Sequence, residues 1–379
     1  MAGIYLHIPF CKQACAYCNF HFSTLLKYKE SVLSAMLQEL EMRKKFFPEK
    51  TQIDTIYFGG GTPSLLSANE INTLIQQIYR LFTVAEQPEI TLEANPDDLT
   101  KAYLQTLKKQ TPINRFSIGI QSFWEEDLRY MNRAHNAEEA MRCIQQAQQA
   151  GFDNLSIDLI YGTPTLSNEQ WRKNLQTAFD LQVPHISCYA LTVENKTALS
   201  AEIKKKKKAA VDYELMVQQF SILLEEIKRN GYLQYEISNF CKPPHFAQHN
   251  TNYWRGISYL GIGPSAHSFD GKIRYWNVSN NTIYINKIEA NEPAYEQELL
   301  SERERYNEYV MTSLRTVFGV AVKKINHDFG DIYVRHFHLE IAPFIEKKWV
   351  ECTDEIYTLT DLGKLFCDFI TEELFIIKN

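Results

Sequence analysis

"IDTIYFGGG", residues 53–61, is a short run of β-branched and aromatic residues that stops on three glycines, and "ANEINTLIQQIYRLF", residues 68–82, follows it at helical spacing. A strand that ends in a turn and feeds a helix is half of a βαβ crossover. The same unit recurs on both sides. "GIYLHI" (3–8) precedes the helical "YKESVLSAMLQELEMRKKFF" (28–47), and then come "EITLEANP" (89–96), "NRFSIGIQSF" (114–123), "NLSIDLIYGTP" (154–164) and "HISCYALTVE" (185–194). Six such units between residues 3 and 195 predict a parallel sheet joined by right-handed crossovers. Polar and turn-forming residues gather at the strand ends: Gly59 to Pro63, Glu93 to Pro96, Gln121 with Ser122, and Asp158 with Gly162 to Pro164. Ligands bind at that edge of a parallel sheet, and a barrel lets every strand contribute to one site. The expected fold class is therefore α/β, a partial or complete (β/α) barrel of about six βα units.

The chain has 379 residues, enough for one large domain and a smaller one. With 45% hydrophobic and 13% aromatic residues it is a folding sequence, and its net charge of −6 lacks the basic footprint of a nucleic-acid binder. Its first residues form no secretory signal, and no run of about 18 apolar residues predicts a membrane span. The chain reads as cytoplasmic, with only peripheral membrane contact left open. Eight cysteines without a secretory signal argue for reduced thiols or metal ligation, not a disulfide framework. Cys143, Cys188, Cys241, Cys352 and Cys367 stand alone and are expected as ordinary buried residues.

The βα alternation sets a barrel core at residues 1–200. Residues 201–295 read as an extension of it: the run "KKKKK" (204–208) as a solvated helix start or loop, a helix over 209–232 stopped by Gly231, and an irregular aromatic-rich segment with "HFAQHNTNYWRG" and "YLGIGPSAHSF". Residues 296–379 read as a smaller, mainly helical unit ending in two short strands and a helix, which resembles a winged helix. Without a basic surface, its expected role is packing and not nucleic-acid binding.

The chemistry concentrates in "YLHIPFCKQACAYCNFHF", residues 5–22, where Cys11, Cys15 and Cys18 follow the first strand. Three soft thiolates on one loop can converge on a metal centre. A structural zinc would need a fourth protein ligand, for which His7 and His21 are available. An iron–sulfur cubane held by three cysteines instead leaves one iron open. In the glycine turn, Gly59, Gly60 and Gly61 let backbone approach a ligand without Cβ interference, and Pro63 fixes the exit.

The cysteine loop after strand one and "YFGGGTPS" after strand two resemble the radical S-adenosylmethionine (SAM) superfamily. There, such cysteines hold a [4Fe-4S] cluster whose open iron chelates SAM, and such a glycine motif receives the methionine amino group. "YLHIPFC", "LEANP", "SIGIQSF", "MNRAHN", "IDLIYGTP", "YEISNF", "HNTNYW" and "GIGPSAHS" extend the resemblance to one branch, the HemN and HemW group related to oxygen-independent coproporphyrinogen III oxidase. It assigns Cys11, Cys15 and Cys18 to the cluster, and Tyr5, Gly60 and Glu93 to the SAM bound there. Gly61, Thr62, Gln121, Arg133 and Asp158 match positions associated with a second SAM, and Ala190 matches an adenine contact.

Within that group the oxidase has a further cysteine two positions after the third, where this chain has Phe20, and an N-terminal extension for which a motif starting at Tyr5 leaves no room. The resemblance is thus closest to the haem-chaperone branch, HemW, whose H-N-x-x-Y-W pattern is His249, Asn250, Tyr253 and Trp254 here. It implies haem contact at those residues and delivery of haem to an acceptor protein. Neutral imidazole ligates haem iron well and aromatic rings cover a porphyrin. The other implied reading is a radical enzyme acting on coproporphyrinogen III or another tetrapyrrole. A catalytic residue is not assignable from the sequence.

Overall fold

The structure, a computed structural model, describes residues 1–377. Its first half is the expected alternation: β1 (Ala2–Ile8), α1 (Lys29–Met42), β2 (Gln52–Gly60), α2 (Ala68–Leu81), β3 (Thr83–Ala94), α3 (Lys101–Gln110), β4 (Arg115–Gln121), α4 (Glu125–Tyr130), α5 (Ala137–Gln149), β5 (Asn154–Tyr161), α6 (Asn168–Asp180) and β6 (His185–Ala190). These six strands lie side by side in chain order, all parallel.

Side chains alternate across a strand, and here the two faces differ in chemistry. Ile4 and Leu6, Ile56 and Phe58, Leu92, Phe116 and Ile118, Leu155 and Ile157, and Ile186 share one hydrophobic core with Met36, Ile71 and Leu104 of the covering helices. The intervening positions point inward and are polar or aromatic: Tyr5, Thr55 and Tyr57, Glu89 and Glu93, Arg115, Ser156 and Asp158, and His185. Both faces are covered, so nearly every strand position is buried while its polarity still alternates. Helix starts are set locally. Ser67 with Glu70, Asn136 with Glu139 and Ser167 with Gln170 each close a reciprocal capping box.

The chain continues through α7 (Ala198–Lys204), α8 (Tyr213–Arg229), β7 (Leu233–Gln234), β8 (Asn239–Cys241), α9 (Gln248–Trp254), β9 (Tyr259–Ile262), β10 (His267–Phe269), β11 (Ile273–Asn277), α10 (Asn281–Glu289) and β12 (Tyr295–Leu299). The segment read as irregular is therefore strand-rich. Its strands are two to five residues long, too short to show a period. β9 adds in parallel beside β1, followed by antiparallel β10, β11 and β12, while β8 and β7 extend the sheet beyond β6. Among the described residues β7 and β12 remain edges, so the barrel is partial.

A second hydrophobic cluster, around Tyr306, Val310, Ile325, Phe337 and Ile341, is built by α11 (Glu302–Leu314), β13 (Val320–Ala321), α12 (Val322–Phe329), α13 (Asp331–Glu346), β14 (Val350–Thr353), β15 (Ile356–Leu359) and α14 (Cys367–Glu373). Its helices and small antiparallel sheet, ordered β13-β15-β14, give the winged-helix-like arrangement. Of the five solitary cysteines, Cys352 departs from expectation: it is exposed on the β14–β15 hairpin, while the other four are buried. No helix among the described residues is long and apolar enough to cross a membrane.

Candidate active site and an adjoining aromatic cavity

The cysteine loop leaves β1 at the sheet's C-terminal edge and is tied down along its length. Ala16 N donates to Met131 O at 3.0 Å, Leu199 N donates to Ala16 O at 2.8 Å, and Asn132 Nδ2 donates to Ala14 O at 2.8 Å. Lys12 pairs with Asp97 and Asp98. Ala16 packs with Leu128, Met131, Ile160 and Leu191, so a small apolar cluster anchors the loop beneath its thiols.

The three thiols are half-buried and free, and near enough to one another to interact electrostatically. Thr62 Oγ1 donates to Cys11 Sγ at 3.3 Å, and Arg133 Nη1 donates to Cys15 Sγ at 3.1 Å. Burial pushes the Cys11 thiol up to about 11 and raises that of Cys18. A bound metal centre reverses such a shift, because coordination deprotonates the thiol. Among the described residues no group of three His, Cys, Asp or Glu side chains is already gathered as a single metal ion requires. As a donor set, three thiols on one loop, two of them already accepting hydrogen bonds, suit a soft iron–sulfur cluster.

The glycine turn lies against that loop. Gly61 N donates to Ile8 O at 2.9 Å, and a Cβ on Gly61 would come 2.6 Å from Phe10 O. Gly60 has φ +109°, and its N–H donates to Glu93 Oε2 at 3.1 Å. Tyr57 donates to Glu93 Oε1 at 2.7 Å. Burial, with Asp158 nearby, pushes the Glu93 carboxyl up to about 7, and burial lifts Asp158 to about 6.

Arg133 Nη2 donates to Asn95 Oδ1 at 2.7 Å and to Gly119 O at 2.8 Å, while its Nε is buried without a partner. Gln121, at φ +68°, turns its amide back over Gly119. Ala190 closes β6 beside Tyr161. Tyr5, Gly60, Gly61, Thr62, Glu93, Gln121, Arg133, Asp158 and Ala190 thus all lie on the inner face or C-terminal edge of the sheet that carries the cysteine loop.

His249 sits elsewhere. It is 2% exposed inside the barrel, stacked on Tyr57 at 5.0 Å, with Nδ1 hydrogen-bonded to Thr55 Oγ1 at 2.7 Å and Nε2 to the Tyr253 hydroxyl at 2.8 Å. Burial drives its imidazole down to about 3. Of its motif, Tyr253 and Trp254 reach the wall of a large cavity, and Asn250 does not.

That cavity, about 940 Å³, opens between the β1–β9–β10 edge, the end of the cysteine loop and helices α11 and α12. Trp254, Tyr259, Phe269, Tyr309 and Phe318 give it aromatic walls. Phe20, 73% exposed, stands on it directly after the cysteines.

Sequence reasoning missed the polar residues that organise the interior. Arg115, 1% exposed, faces Glu89 at 3.9 Å, and Glu89 accepts from the backbone N–H groups of Gln248 and His249 at 3.1 and 3.0 Å. Glu39, 1% exposed on α1, accepts from Gly263 N, Asn277 Nδ2 and the Tyr284 hydroxyl. The only signal for Glu39 was a carboxylate on the apolar stripe of a helix.

A model of the radical SAM superfamily matches residues 5–178, and one of the HemN C-terminal domain matches residues 300–366. The heme chaperone HemW of Bacillus subtilis is 31% identical over 370 residues, covering 96% of this chain and 97% of the relative. The chain belongs to the HemW family of radical SAM proteins. The heme chaperone HemW of Haemophilus influenzae, another member, is 30% identical and covers 98% of both chains. The structure of HemN from Escherichia coli, a coproporphyrinogen III oxidase and radical SAM enzyme, aligns over all of this chain with a TM-score of 0.86. At 22% identity that likeness establishes the fold alone. Membership in the radical SAM superfamily implies a [4Fe-4S] cluster and SAM as cofactors.

Proposed function

We propose that this protein is a haem chaperone that takes up haem in the cavity beside its cysteine loop and passes it to an acceptor protein. The observation that carries the reading is that cavity: its aromatic walls and volume of about 940 Å³ suit a flat tetrapyrrole. Relatives named as heme chaperones, about 30% identical over nearly the whole chain, support it.

Cys11, Cys15 and Cys18 would hold the [4Fe-4S] cluster, which supplies an iron with an open position where SAM chelates. Tyr5, Gly60 and Glu93 would line the first SAM position. Gly61, Thr62, Gln121, Arg133, Asp158 and Ala190 would serve a second. Glu93 can accept hydrogen bonds from ribose hydroxyls, and Arg133 can orient a carboxylate while restraining the loop. Tyr253 and Trp254 would contribute to the haem walls, and His249 would hold Tyr253 in place.

The test is anaerobic titration of the reconstituted protein with haem, in parallel with an assay for turnover of coproporphyrinogen III. The expected result is a Soret shift on haem addition and no porphyrinogen turnover. Turnover without haem binding overturns the reading.

A further inference from the structure

The imidazoles in and behind the cavity are not equivalent. His249, behind its wall, has both ring nitrogens engaged inside the barrel. His7 is 4% exposed, hydrogen-bonded to the Tyr5 hydroxyl through Nδ1 and to His21 O through Nε2. His21 engages Nε2 with Asn281 Oδ1 at 2.9 Å and has its ring against that of His7. His267, on β10 opposite Trp276, lines the cavity with an exposed side chain and, among the described residues, no hydrogen bond to its ring. Partial burial, and then the Arg274 guanidinium, lower its proton affinity, which favours a ring nitrogen lone pair open to the cavity.

The cavity's cations divide in the same way. Arg274 is paired with Glu298 and Glu308, and Lys324 with Asp328. Arg255 and Arg305 line the cavity without a carboxylate partner among the described residues. Each instead rests on a ring, Arg255 Cζ 5.6 Å from the centroid of Phe318 and Arg305 Cζ 5.9 Å from that of Phe329. Two unpaired guanidinium groups on an aromatic wall match the two carboxylates of a dipropionate tetrapyrrole, since guanidinium binds carboxylate through paired hydrogen bonds.

We propose that His267 is the axial ligand to the iron of haem in this cavity, with Arg255 and Arg305 receiving the two propionates. The assignment rests on the haem-chaperone reading and moves the iron contact away from His249. Ligation at His267 sets the porphyrin between the α11–α12 wall and the end of the cysteine loop, with Phe20 at its rim. An exposed imidazole without hydrogen bonds is also what transfer requires, because the ligand can be exchanged for an acceptor's without breaking the fold.

The test is haem titration of the full-length wild type, His267→Ala, His21→Ala and the double variant Arg255→Gln/Arg305→Gln, read by Soret spectrum and by electron paramagnetic resonance of the ferric haem. The expected result is that His267→Ala keeps the wild-type melting temperature, loses the imidazole-ligated spectrum and binds haem about tenfold more weakly or worse. Added free imidazole restores its spectrum. The arginine pair is read by comparing haem with haem dimethyl ester: wild type prefers haem, and the double variant does not distinguish them. A wild-type spectrum in His267→Ala, or loss of the ligated spectrum in His21→Ala instead, overturns the ligand assignment while leaving the chaperone reading intact. A wild type that produces no Soret shift removes the chaperone reading and this assignment with it.

Discussion

Arg133 joins Cys15 to the barrel: Nη1 donates to the sulfur at 3.1 Å, and Nη2 donates to Asn95 Oδ1 at 2.7 Å and Gly119 O at 2.8 Å. One guanidinium thus bridges the cysteine loop and the ends of β3 and β4. Arg133→Ala removes all three bonds, and hydrogen bonds from a charged donor contribute roughly 1.5–3 kcal/mol each before water replaces them. The expected outcome is faster proteolysis within residues 11–20 and a lower iron content after reconstitution, with global unfolding little changed. Arg133→Lys, a point charge without the planar fork, recovers only part of the loss. Iron content equal to wild type in Arg133→Ala would show that the loop is organised without it.

Phe20 stands where the resemblance to the oxidase implies a further cysteine, and the structure gives it a position on the cavity wall at 73% exposure. If the cavity takes up haem as proposed, an exposed aromatic on its wall contributes roughly 0.5–1.5 kcal/mol through ring contact. Phe20→Ala should therefore weaken haem binding by about twofold to tenfold and leave the melting temperature unchanged. Equal haem affinity in the variant would place the porphyrin away from the loop.

Much of this architecture is local and so was legible in the sequence. Parallel strands such as "GIYLHI" declare themselves by composition, and capping boxes such as Ser67 with Glu70 lie within four residues. The cysteine loop and glycine turn are contiguous segments placed by the strands they follow. What stayed hidden depends on which way a side chain faces. His249 and His267 both stand in aromatic-rich segments, yet one is enclosed by Thr55 and Tyr253 while the other opens onto the cavity. Arg115 and Glu89 meet across neighbouring strands, a contact no spacing along the chain encodes.

Gly60 tests how tightly the glycine turn is constrained. Its φ of +109° disfavours any side chain, and a Cβ there would lie 2.7 Å from the His7 ring, which is held at both nitrogens. Gly231, at φ +73° with nothing within 4 Å of its added Cβ, carries the conformational cost alone. Gly231→Ala should cost about 1 kcal/mol and Gly60→Ala about 2 kcal/mol more, from strain plus displacement of His7. Urea unfolding of the two variants checks the difference. Equal losses would mean that His7 yields freely.

Glu39 joins α1 to the turn after β9, accepting from Gly263 N at 2.8 Å, Asn277 Nδ2 at 2.8 Å and the Tyr284 hydroxyl at 2.7 Å. Glu39→Ala leaves two buried donors, Gly263 N–H and the Tyr284 hydroxyl, without an acceptor, each costing roughly 1–3 kcal/mol, while Asn277 Nδ2 keeps its bond to Gly263 O. A loss of about 3 kcal/mol or more is expected, with Glu39→Gln intermediate because its carbonyl oxygen keeps part of the set. Thermal unfolding checks the ranking. A neutral Glu39→Ala would mean that water enters and replaces the carboxylate.

Glu93 gives the interior a defined pH response. Its carboxyl is lifted from 4.5 to about 7, first by burial and then by Asp158, against the hydrogen bond from Tyr57. Between pH 4.5 and about 7 the native state keeps a proton that the unfolded chain has released. The native state then binds more protons, so this group's contribution to stability falls as pH rises through that window and is level on either side. The shift corresponds to roughly 3 kcal/mol at 1.36 kcal/mol per pH unit, and water at the half-buried mouth reduces it to about 1 kcal/mol. Glu93→Gln abolishes the titration, so the variant should gain about 1 kcal/mol relative to wild type between pH 4 and pH 8. The neutral histidines His7 and His249, lowered to about 4 and about 3, contribute the opposite slope on acidification, and they cancel in the difference because both proteins carry them. Urea unfolding of the metal-free proteins at pH 4, 6 and 8 measures that difference. Parallel stability curves would show that Glu93 titrates in the folded protein as it does in the unfolded chain.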